Sequence, residues 1–261
     1  MILADNRKSM ILRMLQKQGS VAVADLSEHF SVSPGTVRND LDTLQRQGML
    51  KRTHGGAVAI ETACFPEVET SPVSDRKILN AGWKAQIGMA AAQMVQDGET
   101  IFLDSSTTTF FLASHLKERK GLIIITNSER IVMELSNIED ILIVCTGGLL
   151  RKKNLSYVGK SAETLLKSGA YVADRMFFSC YGISMEFGIF DSSEEEANIK
   201  KAMLQSARTA TLLCDQSKFD KVGFPKLSDF SKIDSLVCNT APPSSWRQLF
   251  ESNRIDVINV S

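Results

Sequence analysis

Seven short apolar runs punctuate the chain after residue 100 and constrain its fold more than any other feature. They cover residues 101–103, 122–125, 141–145, 176–180, 211–214, 236–238 and 257–260. Each is continuously apolar rather than alternating, the pattern of parallel strands covered on both faces. Helical spacing of apolar residues falls between most of them, over 83–96, 107–118, 127–136, 160–168, 193–208 and 244–252. Strand and helix in alternation predict an α/β domain with a doubly wound, mostly parallel sheet. Ligands of such sheets bind outside the carboxyl ends of the strands, so function belongs in the residues that follow each strand.

Those residues are small and polar. Asp104-Ser105-Ser106-Thr107-Thr108-Thr109 follows the first run, Thr126-Asn127-Ser128 the second, Thr146-Gly147-Gly148 the third and Asp215-Gln216-Ser217-Lys218 the fifth. Hydroxyls at a helix start, beside backbone N–H groups, suit a phosphate, an aspartate can accept from sugar hydroxyls, and Lys218 can supply a cation. Taken singly, each reads better as an ordinary helix N-cap. Four at one sheet edge point to a site for a polar, anionic small molecule.

Residues 20–58 read differently, as helix, turn, second helix and a Gly-tipped basic hairpin. A first helix over roughly 5–18 carries Arg7, Ile11, Met14 and Leu15 on one face and ends at Gly19. Val23, Leu26 and Phe30 make a second apolar stripe. Ser33-Pro34 is a strong helix start, and Val37, Leu41 and Leu44 then define one buried face. Gly35, Asn39, Asp42, Thr43 and Arg46 fall on the opposite side, with Ser33, Thr36 and Arg38 near the helix start. Arginine and asparagine on such a surface suit base edges in the major groove. Gly48 marks the helix stop, residues 49–53 a strand, His54-Gly55-Gly56 the tip and 57–60 the return. Lys51, Arg52 and His54 put positive charge where a wing meets phosphates or the minor groove. The other reading of this winged helix-turn-helix is a three-helix domain whose basic hairpin meets a partner protein. Asp40 and Arg7 both lie toward the core, and we expect them to pair and fix the tilt of the recognition helix.

Arg7-x3-Ile11-x3-Leu15, seventeen residues, then Ser33-x2-Thr36-Val37-Arg38-Asn39-Asp40-Leu41 resembles the signature of the DeoR/GlpR family of bacterial transcriptional regulators. KRTHGGA at 51–57 resembles that family's wing, and Asn39 stands where many members carry Arg. LDSSTT, TNS, GG, the run from Asp191 through Glu196-Ala197 to Lys200, and DQSKF are similar to its effector-domain motifs. The resemblance implies a second domain folded like phosphosugar isomerases of the ribose-5-phosphate isomerase type, with a phosphorylated sugar as effector. It implies Asp104, Ser105, Ser106, Thr107, Thr108, Asn127, Gly147, Gly148 and Lys218 as effector-binding residues, with Lys84 and Lys200 beside them. Ser106 replaces the family's usual glycine, a change that bears on which effector fits.

Charge divides along the same line. Residues 1–58 hold eight Lys/Arg against five Asp/Glu and the remainder 22 against 25, a basic head on an acidic body. Residues 61–74 change character and read as a linker between a DNA-binding domain at 1–60 and a sensing domain at 75–261. The five scattered cysteines (64, 145, 180, 214 and 238) read as buried thiols of a reducing, cytoplasmic protein. Val158-Gly159-Lys160-Ser161 mimics the tail of a phosphate-binding loop, but Asn154 stands where its first glycine belongs, so a helix start is the better reading. His29, His54 and His115 show no metal-ligand spacing, and neither a metal, a cofactor nor a membrane segment is expected. The expected function is a regulator, usually a repressor in the resembled family, of carbohydrate metabolism. It would bind operator duplex as a homo-oligomer, a dimer or tetramer. A phosphosugar enzyme and a protein-interaction module are the alternatives.

Overall fold

The computed structural model describes residues 4–46, 50–53, 55–58 and 73–260, which group into two compact units. The N-terminal unit runs α1 (Ala4–Gln18), β1 (Ser20–Ala22), α2 (Val23–Phe30), α3 (Pro34–Arg46), β2 (Lys51–Arg52) and β3 (Gly56–Val58). Ile11, Leu15, Leu26, Val37, Leu41 and Leu44 are buried and form its centre, as the helical spacing predicts. α2 ends at Ser31, whose left-handed φ of 51° turns the chain into α3. β3 pairs antiparallel with β2, making the wing, and also with β1 on its other side. β1 was not expected, because three residues carry no readable period. Gly56 makes the pairing possible: a Cβ there would lie 1.9 Å from the Val21 carbonyl oxygen. Residues 47–49, His54 and the linker as far as residue 72 lie outside the described residues.

The larger unit opens with α4 (Val73–Ile78), α5 (Ala81–Gln93), β4 (Thr100–Leu103), α6 (Thr107–Ser114), β5 (Leu122–Thr126), α7 (Glu129–Leu135) and β6 (Ile141–Cys145). A hairpin of β7 (Leu149–Arg151) and β8 (Ser156–Val158) leads to α8 (Lys160–Lys167) and β9 (Ala173–Phe178). Then come β10 (Gly182–Ser184), β11 (Gly188–Phe190), α9 (Glu194–Gln205), β12 (Ala207–Leu213), β13 (Lys226–Ser228), β14 (Ser235–Cys238), α10 (Ser244–Ser252) and β15 (Asp256–Asn259). All seven expected strands lie in one parallel sheet, in the order β15-β14-β12-β9-β4-β5-β6. Additional short pieces, α4, the β7–β8 hairpin and an antiparallel β10-β11-β13 sheet, fall where the sequence shows no long apolar run.

The continuous apolar runs have the cause inferred for them. Phe102, Met176, Phe178, Leu212 and Leu236 face one core, and Ile101, Leu103, Phe177, Leu213 and Val237 face the other, so successive side chains of one strand are buried on opposite sides. Winding begins at β4, runs outward to β6, then returns to β9 on β4's other flank and continues to β15. The winding reverses between β4 and β9, and ligands of doubly wound sheets bind outside the carboxyl ends of the strands at such a reversal. No helix among the described residues is long and apolar enough to cross a membrane.

Candidate DNA-reading surface and effector site

In the N-terminal unit, α3 exposes Gly35, Arg38, Asn39 and Asp42, with Thr36 and Thr43 half-buried beside them. Ser33 caps it by accepting the Thr36 N–H at 3.2 Å. Thr43 donates to the Asn39 carbonyl at 2.8 Å. Lys51 is exposed on β2. Arg52 and Asp42, read from the sequence as separate contacts to DNA, are joined to each other: Arg52 Nη1 donates to Asp42 Oδ1 at 2.8 Å and to the Arg38 carbonyl at 3.2 Å. This staple fastens the wing to α3. His54 and the Arg46 side chain lie outside the described residues. The expected core pair forms, with Arg7 Nε 2.5 Å from Asp40 Oδ2 and Nη2 3.3 Å from Oδ1, both side chains under a tenth exposed.

In the sensor unit, Asp104 leaves β4 at the winding reversal and is fully buried. Its Oδ1 accepts the Ser106 N–H at 3.1 Å and the Thr109 hydroxyl at 2.7 Å. Its Oδ2 accepts the Ser179 N–H at 3.2 Å and lies 2.8 Å from Lys200 Nζ. Lys200 also meets Asp191 Oδ2 at 2.6 Å and donates to the Ser179 carbonyl at 2.8 Å. Burial opposes the charge of Lys200, but Asp104 and Asp191 overcome that and hold its pKa above the usual lysine range. Asp104 and Lys200 are therefore engaged with each other and with the strand ends.

A second buried carboxylate lies beside them. The acidic run 194–196 reads from sequence as a helix-dipole feature, yet only Glu194 and Glu195 stay exposed. Glu196 turns inward and accepts from Ser105 at 3.0 Å, Asn154 at 3.0 Å and Ser156, with Arg151 Nη1 at 3.4 Å. This hub links the β4–α6 loop, the β7–β8 hairpin and α9.

Polar groups without internal partners lie one turn along. Ser106 caps α6 by accepting the Thr109 N–H at 3.2 Å, so the first-turn amides of Thr107 and Thr108 have no intrahelical acceptor. Among the described residues neither threonine hydroxyl has a partner. Asn127 donates to the Tyr157 carbonyl at 3.1 Å, which leaves its buried Oδ1 without a donor. Gly148, at φ 107°, is held against β8, where a Cβ would lie 2.5 Å from the Val158 carbonyl; Gly147, at φ 63°, borders open space.

Cations gather around this edge. Lys84 is buried and donates to the carbonyls of Arg76 and Leu79, both at 2.5 Å, closing the carboxyl end of α4 rather than pointing outward. Burial first, then repulsion from Lys218 and Arg76 against attraction from Asp215, lowers its pKa to about 8. Arg76 donates to Asn154 at 2.8 Å. Lys218 is half-buried after β12, and the Oδ2 of Asp215 is buried with no hydrogen-bond donor among the described residues. The guanidinium carbon of Arg130, on α7, lies over the Phe110 ring, 4.0 Å from its centroid. The sequence reading did not name Arg76, Arg130, Arg151 or Asn154 for the site, and placed Glu196 only within a motif of the resembled family. Arg130 gave one signal, as a cation in the first turn of a helix, against the dipole.

Residues 7–63 match the DeoR-like helix-turn-helix domain and residues 79–240 the DeoR C terminal sensor domain. The chain is 33% identical to a putative aga operon transcriptional repressor of Escherichia coli O157:H7, over 97% of this chain and 93% of that protein. It is 32% identical to the L-fucose operon activator of Haemophilus influenzae, over 95% and 97%. Among solved structures, ribose 5-phosphate isomerase A of Methanocaldococcus jannaschii is 19% identical with a TM-score of 0.38, covering 54% of this chain and 55% of that one. With both domains matched in order and the likeness running nearly end to end, the chain belongs to the DeoR family of transcriptional regulators.

Proposed function

We propose that this regulator represses a carbohydrate-metabolism operon, as an oligomer on operator DNA, and that a phosphorylated sugar controls its affinity for that DNA. The observation that carries the effector reading is the set of uncommitted polar atoms after two neighbouring strands: the first-turn amides and hydroxyls of Thr107 and Thr108 after β4, and the acceptor Asn127 Oδ1 after β5. Amides at a helix start suit a phosphate and an inward amide oxygen suits a sugar hydroxyl. Gly147 and Lys218 border the same edge. Asp104, Ser105, Ser106, Gly148, Lys84 and Lys200 shape it from behind. Asn39 and Arg38 read bases, while Ser33, Thr36, Lys51 and the stapled wing position the helix. An isomerase reading is disfavoured because Asp104, Asp191 and Glu196 are all engaged by cations or multiple donors.

Fluorescence anisotropy with the DNA upstream of the coding region tests both halves, at two salt concentrations and with a panel of sugar phosphates. Salt-sensitive binding that one sugar phosphate shifts 5–150-fold, on the order of 1–3 kcal/mol of coupling, is the expected result. Binding that no phosphosugar alters would remove the effector half, and turnover of any panel member would restore the enzyme.

A further inference from the structure

We propose that Arg130 is an effector-binding residue, whose guanidinium closes on the phosphoryl group held at the start of α6. This rests on the effector site proposed above and adds to it a residue and a charge requirement. Nη1 and Nη2 of Arg130 are both buried, and neither has a hydrogen-bond partner among the described residues. Folded proteins rarely retain buried charged donors without acceptors, because each forfeits its hydration for nothing. The nearby acid, Glu134, is engaged elsewhere, 2.6 Å from Lys117. Its place in the first turn of α7 also sets the charge against the helix dipole. The contact with the Phe110 ring accounts for the stem and the face of the guanidinium but leaves its N–H groups without acceptors.

The placement supplies a reason. Helical side chains lean toward the N-terminus, so the Phe110 ring leans back toward the turn of Thr107 and Thr108. A guanidinium held over that ring is steered toward the same turn, with its unpartnered N–H groups available to a tetrahedral oxyanion. Asn127, three residues earlier, carries the unpartnered acceptor. A second guanidinium, Arg76, lies close enough to repel it; burial and then that repulsion lower the pKa of Arg130. An anion beside the two guanidinium groups would offset that repulsion. The phosphoryl group would meet two amides from α6 and a two-nitrogen contact from Arg130, which selects a phosphorylated sugar over the free sugar.

The test is thermal unfolding of the full chain and of Arg130→Gln in inorganic phosphate, against sodium chloride of equal ionic strength, repeated with the sugar-phosphate panel. Arg130→Gln is expected to melt in chloride at or above the wild-type temperature and to bind phosphate at least tenfold more weakly, with Arg130→Lys between. A lower melting temperature in chloride with the phosphate response intact would make Arg130 structural and overturn the proposal. An equal response in wild type and Arg130→Gln would remove Arg130 and leave the effector site standing. No response of the wild type to phosphate or any sugar phosphate would overturn both.

Discussion

Replacing Asp40 with Asn tests how the head sets its recognition helix. The two charges approach to 2.5 Å, with side chains 7% and 5% exposed, so water does not replace a lost partner. Stranding one member of such a pair costs roughly 3–5 kcal/mol. At roughly 4–8 °C per kcal/mol for a domain of this size, even the low end is a fall of about 12 °C or more in the head's melting temperature. Calorimetry of the full chain reads that transition, and anisotropy in the cold, with the head still folded, reads operator affinity. Both should fall. The double variant Arg7→Met/Asp40→Leu should recover most of the stability, because apolar replacement of both partners removes the stranded charge. If Asp40→Asn alone leaves melting and DNA affinity unchanged, the pair does not hold α3, and the reasoning fails.

Gly56→Ala should destabilise the head by about 1–3 kcal/mol and weaken DNA binding, since the added carbon meets a backbone oxygen; retained melting behaviour would refute the close β1–β3 approach. Lys51→Gln should lower the slope of log affinity against log salt by about 0.9 for every sequence, whereas Asn39→Ala should cost about 1–3 kcal/mol at one base position only. Lys84 titrates at about 8 in the folded sensor, below its unfolded value, so the unfolded chain holds the extra proton between. Its contribution to stability should therefore rise with pH from about 8 to the ordinary lysine range near 10.4, and Lys84→Met should flatten that rise in melting temperature against pH. Glu196→Gln should lower the sensor's melting temperature by leaving Arg151 under-neutralised; an unchanged value would deny Glu196 its role as a hub.

Burial on two faces made the sheet legible: strands that must be apolar throughout announce themselves without any knowledge of their neighbours. β1, α4 and the β7–β8 hairpin were not legible because each is only a few residues long and owes its form to a partner. The site divided in the same way. Thr107, Thr108 and Asn127 could be read as candidates because they lie in the short segments after strands. Glu196 could not, since its meaning lies in Ser105 and Asn154, 91 and 42 residues away. Lys200 sits one turn after Glu196 and by spacing should pair with it, yet it pairs with Asp104 and Asp191. Local periodicity cannot register competition from across a sheet.

The interlocked carboxylates and cations behind the sheet edge have an evolutionary consequence. Asp104, Asp191, Glu196, Arg151 and Lys200 satisfy one another, so the bezel of the site stands without help from whatever it surrounds. Asn127, Gly147, Lys218 and Arg130 are set into it like separate stones. On the proposed effector reading, a lineage can exchange those stones, and with them the metabolite to which it listens, without recutting the mount. Drift in the bezel would disturb several settings at once, so new specificities should arise through the stones first.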